Sequence, residues 1–111
     1  MAQTTFEIES VSESERGRLK LKGELDLASI ARVEQAVDKM LADGARALVL
    51  DLAGVSFVDS SGLRLFIVLD QRAGAEGWKL TLTRPQQQAM TVFVISGLED
   101  NLPFAESSGV A

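Results

Sequence analysis

The sequence predicts an α/β fold: one domain with a mostly parallel sheet, an N-terminal hairpin strand and packed helices, in the order β-β-α-β-α-β-α-β. Three observations carry that prediction. Apolar residues alternate with polar ones in some segments and recur at helical spacing in others, and the two kinds of segment interleave along the chain. One run, Ala47-Leu-Val-Leu50, is apolar throughout, as a central parallel strand covered on both faces would be. The length of 111 residues, 46% hydrophobic and 24% charged, suits a single domain over 1–111, with its core at about 5–104.

Each element follows from its own pattern. Phe6 and Ile8 alternate with Glu7 and Glu9, giving a half-buried strand, and the polar stretch from Ser12 to Gly17 makes a turn. Leu19, Leu21 and Gly23 alternate with Arg18, Lys20 and Lys22, which completes a hairpin; the cations read as a solvated strand face that discourages edge pairing. From Asp26 to Leu41, Ile30, Val33, Val37, Met40 and Leu41 fall on one helical face, with Asp26 or Ser29 as N-cap and Gly44 at the C-terminal end. After Ala47–Leu50 comes Asp51, read as a strand-end turn residue, then a loop through Gly54. A second helix runs from about Ser60 to Ala73 and is ended by Gly74 and Gly77. Trp78, Leu80 and Leu82 mark the next strand; Pro85 suits the first turn of a third helix carrying Met90, Phe93 and Val94 and stopped by Gly97. Leu102-Pro-Phe104 is a short final strand, and 105–111 form a flexible tail.

Composition excludes several function classes. The chain has no histidine and no cysteine, which removes Ser-His-Asp and Cys-His catalysis, the usual zinc sites and any disulfide. A net charge of −5 argues against direct nucleic-acid binding, which needs clustered Lys and Arg. No apolar run approaches the ~20 residues that span a bilayer, and no signal-peptide pattern opens the chain, so membrane insertion is not expected and the cytoplasm is. No catalytic residue, metal site or cofactor is indicated: no GxxxxGK[ST] phosphate loop occurs, and a carboxylate pair such as Asp51 with Asp59 lacks any sign of a raised-pKa acid opposite a base.

One segment stands apart: Val55-Ser-Phe-Val-Asp-Ser-Ser-Gly-Leu-Arg64. Asp59, Ser60 and Ser61 are all good helix-capping residues, where one would suffice, and Gly62 permits close packing. On the helix that follows, Gly62, Leu65, Phe66, Leu69 and Ala73 form the core stripe. On the far side lies a second, mixed stripe of Ser60, Leu63, Arg64, Ile67 and Gln71, with the composition of a docking surface. A phosphate on Ser60 would add about −1.5 to −2 charges to that face without touching the core. The bland alternative is that Leu63 and Ile67 are covered by a neighbouring element.

These residues resemble a known family. Gly23-Glu-Leu-Asp26 followed by Ala28-Ser29, Leu50-Asp51 leading to Val55-Ser-Phe, Asp59-Ser-Ser-Gly-Leu63 and Ser96-Gly-Leu98 together resemble the STAS domains, especially the bacterial anti-sigma factor antagonists that control sporulation and stress sigma factors. The resemblance implies partner switching. The unphosphorylated antagonist binds an anti-sigma factor serine kinase and frees a sigma factor; phosphorylation abolishes binding, and a PP2C-type phosphatase restores it. Carried over, the phosphorylated residue is Ser60, with Ser61 as the second candidate. The partner-binding set is Asp26, Asp59, Ser61, Gly62, Leu63, Arg64, Ile67 and Gln71. Asp26 enters because the family's Gly-Glu-Leu-Asp turn lies near the phosphoserine helix, although a helix cap accounts for it equally well.

The chain departs from the family pattern at its C-terminus, where a further helix usually follows the last strand; the expectation is a variant shortened there. Other family roles are alternatives: a STAS subunit of a lipid-transporting ABC system, a stressosome-type scaffold, or the cytoplasmic tail of an anion transporter. Outside the family, a receiver domain would use Asp51 as phospho-acceptor. It would also need an adjacent acidic pair and a late lysine, whereas Glu24 and Asp26 are separated by Leu25 and the last lysine is Lys79.

Overall fold

The structure is a computed structural model that describes residues 6–105. Residues 1–5 lie outside the described residues, as does the tail expected at 105–111 except for its first residue. The elements run β1 (Glu7–Glu13), β2 (Arg16–Leu25), α1 (Leu27–Ala42), β3 (Ala47–Val58), α2 (Ser60–Glu76), β4 (Lys79–Leu82) and α3 (Gln87–Ile95). The sheet order is β1-β2-β3-β4, with β1 antiparallel to β2 and the other pairs parallel. The α/β class, the hairpin and the mostly parallel sheet are therefore as read from the sequence. The last predicted strand is a single parallel bridge, Leu82 to Phe104. Pro85 lies before the third helix rather than in its first turn; Gln86 is the N-cap. Gly74 sits inside α2, which ends at Gly77 in the left-handed conformation (φ 81°).

The crossover helices α1 and α2 connect parallel strands that advance in one direction across the sheet, so they pack on the same face. One cluster of buried residues joins Leu19, Leu21, Leu48, Leu50 and Leu52 of the sheet to Val33 and Val37 of α1 and Phe66 and Leu69 of α2. Phe93 of α3 belongs to it, with its ring 5.8 Å from Phe66 and edge-on to Phe104 at 5.2 Å. Burying each such side chain stabilises the fold by about 1.5–3 kcal/mol.

Among the described residues, no helix covers the opposite face of the sheet. Ala47 and Val49 on that side are only half-buried, so Ala47–Leu50 is covered on one face and not on two. Arg16, Arg18, Lys20 and Lys22 stand exposed there, and β1 sets Glu13, Glu9 and Glu7 opposite three of them. The solvated reading of these cations holds, but β2 is an interior strand. Their local effect is cross-strand charge pairing, as between Lys20 and Glu9 at 3.9 Å.

The third strand is much longer than predicted because it contains two irregularities. Its register against β2 shifts between Lys20 and Lys22 and again between Gly23 and Glu24. At each shift β3 carries an extra residue, so its buried positions run 48, 50, 52 and then 55 and 58. That phase change brings Val58 under α2 and turns Phe57 outward.

Candidate functional site at the start of α2

The two neighbouring parallel strands β2 and β3 are each followed directly by an aspartate that caps the next helix. Asp26 accepts from the Ala28 N–H at 3.1 Å and from the Ser29 hydroxyl at 3.2 Å. Ser29 is buried, so Asp26 is the cap of α1 and Ser29 supports it from inside the helix. Asp59 accepts from the Gly62 N–H at 3.0 Å and from the Ser61 hydroxyl at 2.5 Å. The Ser61 hydroxyl is the largest influence on the Asp59 carboxyl; burial opposes it, and with the Gly62 N–H the hydrogen bonds prevail and hold the carboxyl below the ordinary aspartate range.

These bonds separate the two candidate serines. Ser61 is half-buried and its hydroxyl is committed to Asp59. Ser60, the first residue of the helix, is exposed. Gly62 fixes the depth at which both sit. A Cβ at Gly62 would lie 2.8 Å from Val58 Cγ1 and 3.2 Å from the Leu25 carbonyl oxygen, which itself accepts from the Asp59 N–H. The close packing expected of Gly62 is thus a contact with the end of the sheet.

Of the remaining predicted residues, Arg64 and Gln71 are exposed, whereas Leu63 and Ile67 are half-buried and packed against the core. The alternative of covered apolar residues therefore holds in part for Leu63 and Ile67, while the polar members of the stripe face solvent. The sequence reading missed two apolar side chains at this rim, Leu27 (75% exposed) and Phe57 (45% exposed). A helical wheel signals Leu27, which falls about 120° from Val33. Nothing local signals Phe57.

Asp51 is elsewhere. It lies within β3 on the open face, not at a strand end, and it binds Arg18 at 2.9 Å, the Thr83 hydroxyl at 3.0 Å and the Ala53 N–H at 3.0 Å. Burial pushes its carboxyl up, but the Arg18, Ala53 and Thr83 hydrogen bonds together outweigh this and hold it low. Asp51 and Asp59 are well apart along one extended strand, and both are held in the ionised form. The structure does not bring them together as an acid and a base. Thr83 also accepts from the Leu52 N–H at 2.8 Å, so the cluster pins the first irregularity of β3 to the residue after β4.

A family model described as "Mlab, STAS domain" matches residues 8–104. The chain belongs to the STAS domain family. An anti-sigma-B factor antagonist of Staphylococcus aureus is 28% identical to this STAS domain over 103 residues, 93% of this chain and 95% of that protein. The crystal structure of an anti-sigma factor antagonist from Mycobacterium paratuberculosis superposes with a TM-score of 0.78 at 22% identity, covering 96% of this chain and 90% of that one. The Bacillus cell fate determinant SpoIIAA in its phosphorylated form gives a TM-score of 0.66 at 22% identity, covering 96% of each chain. At that identity the structural likeness establishes the fold. Among the described residues of this STAS domain, no helix is long and apolar enough to cross a membrane.

Proposed function

We propose that this STAS protein is an anti-sigma factor antagonist acting in the cytoplasm: its unphosphorylated form binds an anti-sigma factor serine kinase and frees a sigma factor, and phosphorylation of Ser60 switches binding off. The single observation that carries the reading is the division between the two serines. Asp59 engages Ser61 and Gly62 and leaves Ser60 exposed at the helix start. Phosphorylating Ser61 would break the cap bond and set a phosphate against the Asp59 carboxylate. Phosphorylating Ser60 leaves the cap intact. The Staphylococcus relative, aligned over nearly the whole chain, and the phosphorylated form of a structural neighbour support the same reading.

In the switching step the Ser60 hydroxyl oxygen attacks the γ-phosphorus of ATP. The new O–P bond forms as the bond to the departing ADP oxygen breaks, and the hydroxyl proton passes to a base supplied by the kinase. A PP2C-type phosphatase reverses the modification by hydrolysis. The docking face comprises Asp26, Asp59, Ser61, Gly62, Leu63, Arg64, Ile67 and Gln71. Asp59 and Gly62 act chiefly by fixing the helix start; Arg64 and Gln71 offer exposed contacts.

The test incubates the protein with its cognate kinase and ATP and maps the product by mass spectrometry. Phosphate on Ser60, with binding retained by Ser60→Ala and lost by Ser60→Asp, is the expected result. Modification at another residue, or full binding by Ser60→Asp, overturns the reading. Failure to bind any anti-sigma factor would direct attention to the family's other roles, the subunit of a lipid-transporting ABC system and the stressosome-type scaffold.

A further inference from the structure

The chain has an arginine placed to receive a phosphate on Ser60. Ser60 and Arg64 are both exposed and lie four residues apart on α2, whose helical geometry begins at Ser60. Side chains at that separation share a face with Cβ atoms about 5–6 Å apart. A long helical side chain leans towards the N-terminus, a direction in which the guanidinium of Arg64 can reach the turn that holds Ser60. The order, acid first and base four residues later, is also the favourable one.

Arg64 differs from the other arginine on this helix. Arg72 is engaged by Asp38 at 2.6 Å and Glu76 at 2.9 Å, tying α2 to α1. Among the described residues Arg64 makes no ion pair. The segments that meet at the helix start, 24–27 and 57–64, carry Glu24, Asp26, Asp59 and Arg64 as their only charged side chains. Arg84, at the beginning of the segment leading to α3, is held by Glu99 at 3.0 Å. A phosphate on Ser60 therefore meets one free cation in a setting of carboxylates.

We propose that Arg64 pairs with phosphorylated Ser60, so that phosphorylation both adds a dianion to the docking face and withdraws the cation of Arg64 from it. This rests on the reading of Ser60 as the modified residue and specifies how the modification is registered. In the unphosphorylated protein the guanidinium is available to an acceptor on the partner; in the phosphorylated protein it is bidentately occupied within its own helix.

The experiment places phosphoserine at position 60 by genetic incorporation in the full chain, which makes it independent of any kinase. The phosphate's second ionisation is then followed by phosphorus NMR. The expected result is a pKa about 0.3 lower with Arg64 than in Arg64→Gln, a gap that shrinks in high salt. Arg64→Lys should retain part of the shift. Lys79→Gln, which removes one positive charge at the far end of the sheet, should leave the value with Arg64 unchanged. An Arg64→Gln value equal to that of the parent, or an equal rise in Lys79→Gln, overturns the pairing. If the titration shows pairing while the kinase modifies another residue, the proposed function fails and the geometry stands. If Ser60 is the modified residue and the titration is flat, only the role of Arg64 fails.

Discussion

Replacing a helical glycine by alanine should have opposite effects at two positions of α2. In a helix interior the change ordinarily stabilises by about 0.5–1 kcal/mol, because alanine loses less backbone entropy on folding. At Gly74 the new methyl would find nothing within 4 Å, so Gly74→Ala should show that gain. At Gly62 the methyl would sit 2.8 Å from Val58 Cγ1, 3.2 Å from the Leu25 carbonyl oxygen and 3.3 Å from Leu25 Cδ2. Neither neighbour can yield easily: Val58 is 2% exposed and Leu25 fully buried, and the clashing oxygen belongs to the backbone that accepts from Asp59. Overpacking of this kind costs about 1–3 kcal/mol. Set against the entropic gain, Gly62→Ala should lose about 0.5–2 kcal/mol. At roughly 4 °C per kcal/mol for a domain of this size, its Tm falls by about 2–8 °C while that of Gly74→Ala rises by about 2–4 °C. Thermal and urea unfolding followed by circular dichroism measure both. Equal shifts in the two variants, or a stabilised Gly62→Ala, would refute the claim that the start of α2 is pressed against the sheet.

Ser61→Ala should cost about 0.5–1.5 kcal/mol by removing the hydrogen bond to Asp59, with mass spectrometry still finding phosphate on Ser60 after kinase treatment. Leu63→Glu and Ile67→Glu should each lose about 1–3 kcal/mol, since both side chains are half-buried against the core; Leu27→Glu should stay within about 0.5 kcal/mol of the parent and weaken kinase binding, read by calorimetry. Asp51 and Asp59 have lowered folded pKa values, so their contribution is complete above about pH 5 and is lost as pH falls through those values. Asp59→Asn, which retains a neutral cap but loses the charge-assisted bonds, should be less stable than the parent near pH 7 and converge with it below about pH 4, measured by urea unfolding across pH.

Most of the fold was legible because it rests on periodicities that neighbouring residues enforce. Val33, Val37 and Met40 repeat at helical spacing and are buried; Leu19 and Leu21 alternate with cations and are buried. The failures cluster in β3, and their cause is the insertion of extra residues into its pairing with β2. A bulge has no composition of its own, so Ala53 and Gly54 read as a loop although they lie within the strand. The same shift explains Phe57. Simple alternation puts it on the side of Val55, which is fully buried, yet Phe57 is 45% exposed. Asp51 was misread as a strand end for the related reason that its partners, Arg18 and Thr83, are more than thirty residues away along the chain. At the site, the capping role of Asp59 and the packing role of Gly62 were legible from residue type. The outward place of Ser60 followed from the helical wheel; the engagement of the Ser61 hydroxyl by Asp59 did not, because it depends on which hydroxyl turns towards the carboxylate.

A charge on Ser60 can alter binding without altering the fold because its surroundings weigh it differently in the two cases. In the free protein the added phosphate lies outside every bond that holds the helix start. Asp59 is satisfied by Ser61 and Gly62, and Gly62 is seated on Val58 and Leu25. The helix N-terminus favours the anion by about 0.3–1 kcal/mol. The carboxylate of the adjacent Asp59 opposes it by about 1 kcal/mol per unit charge in water at ~4 Å. Both effects are small beside the buried contacts that seat the helix start, so the fold should stand. At a partner interface the same dianion is stripped of water, and leaving it without a matched cation costs several kcal/mol, or a hundredfold and more in affinity. If Arg64 is drawn to the phosphate, the partner also loses a cation it could have used. A net charge of −5 changes little in proportion; what changes is the local charge on a surface where Arg64 stands among the carboxylates of Glu24, Asp26 and Asp59.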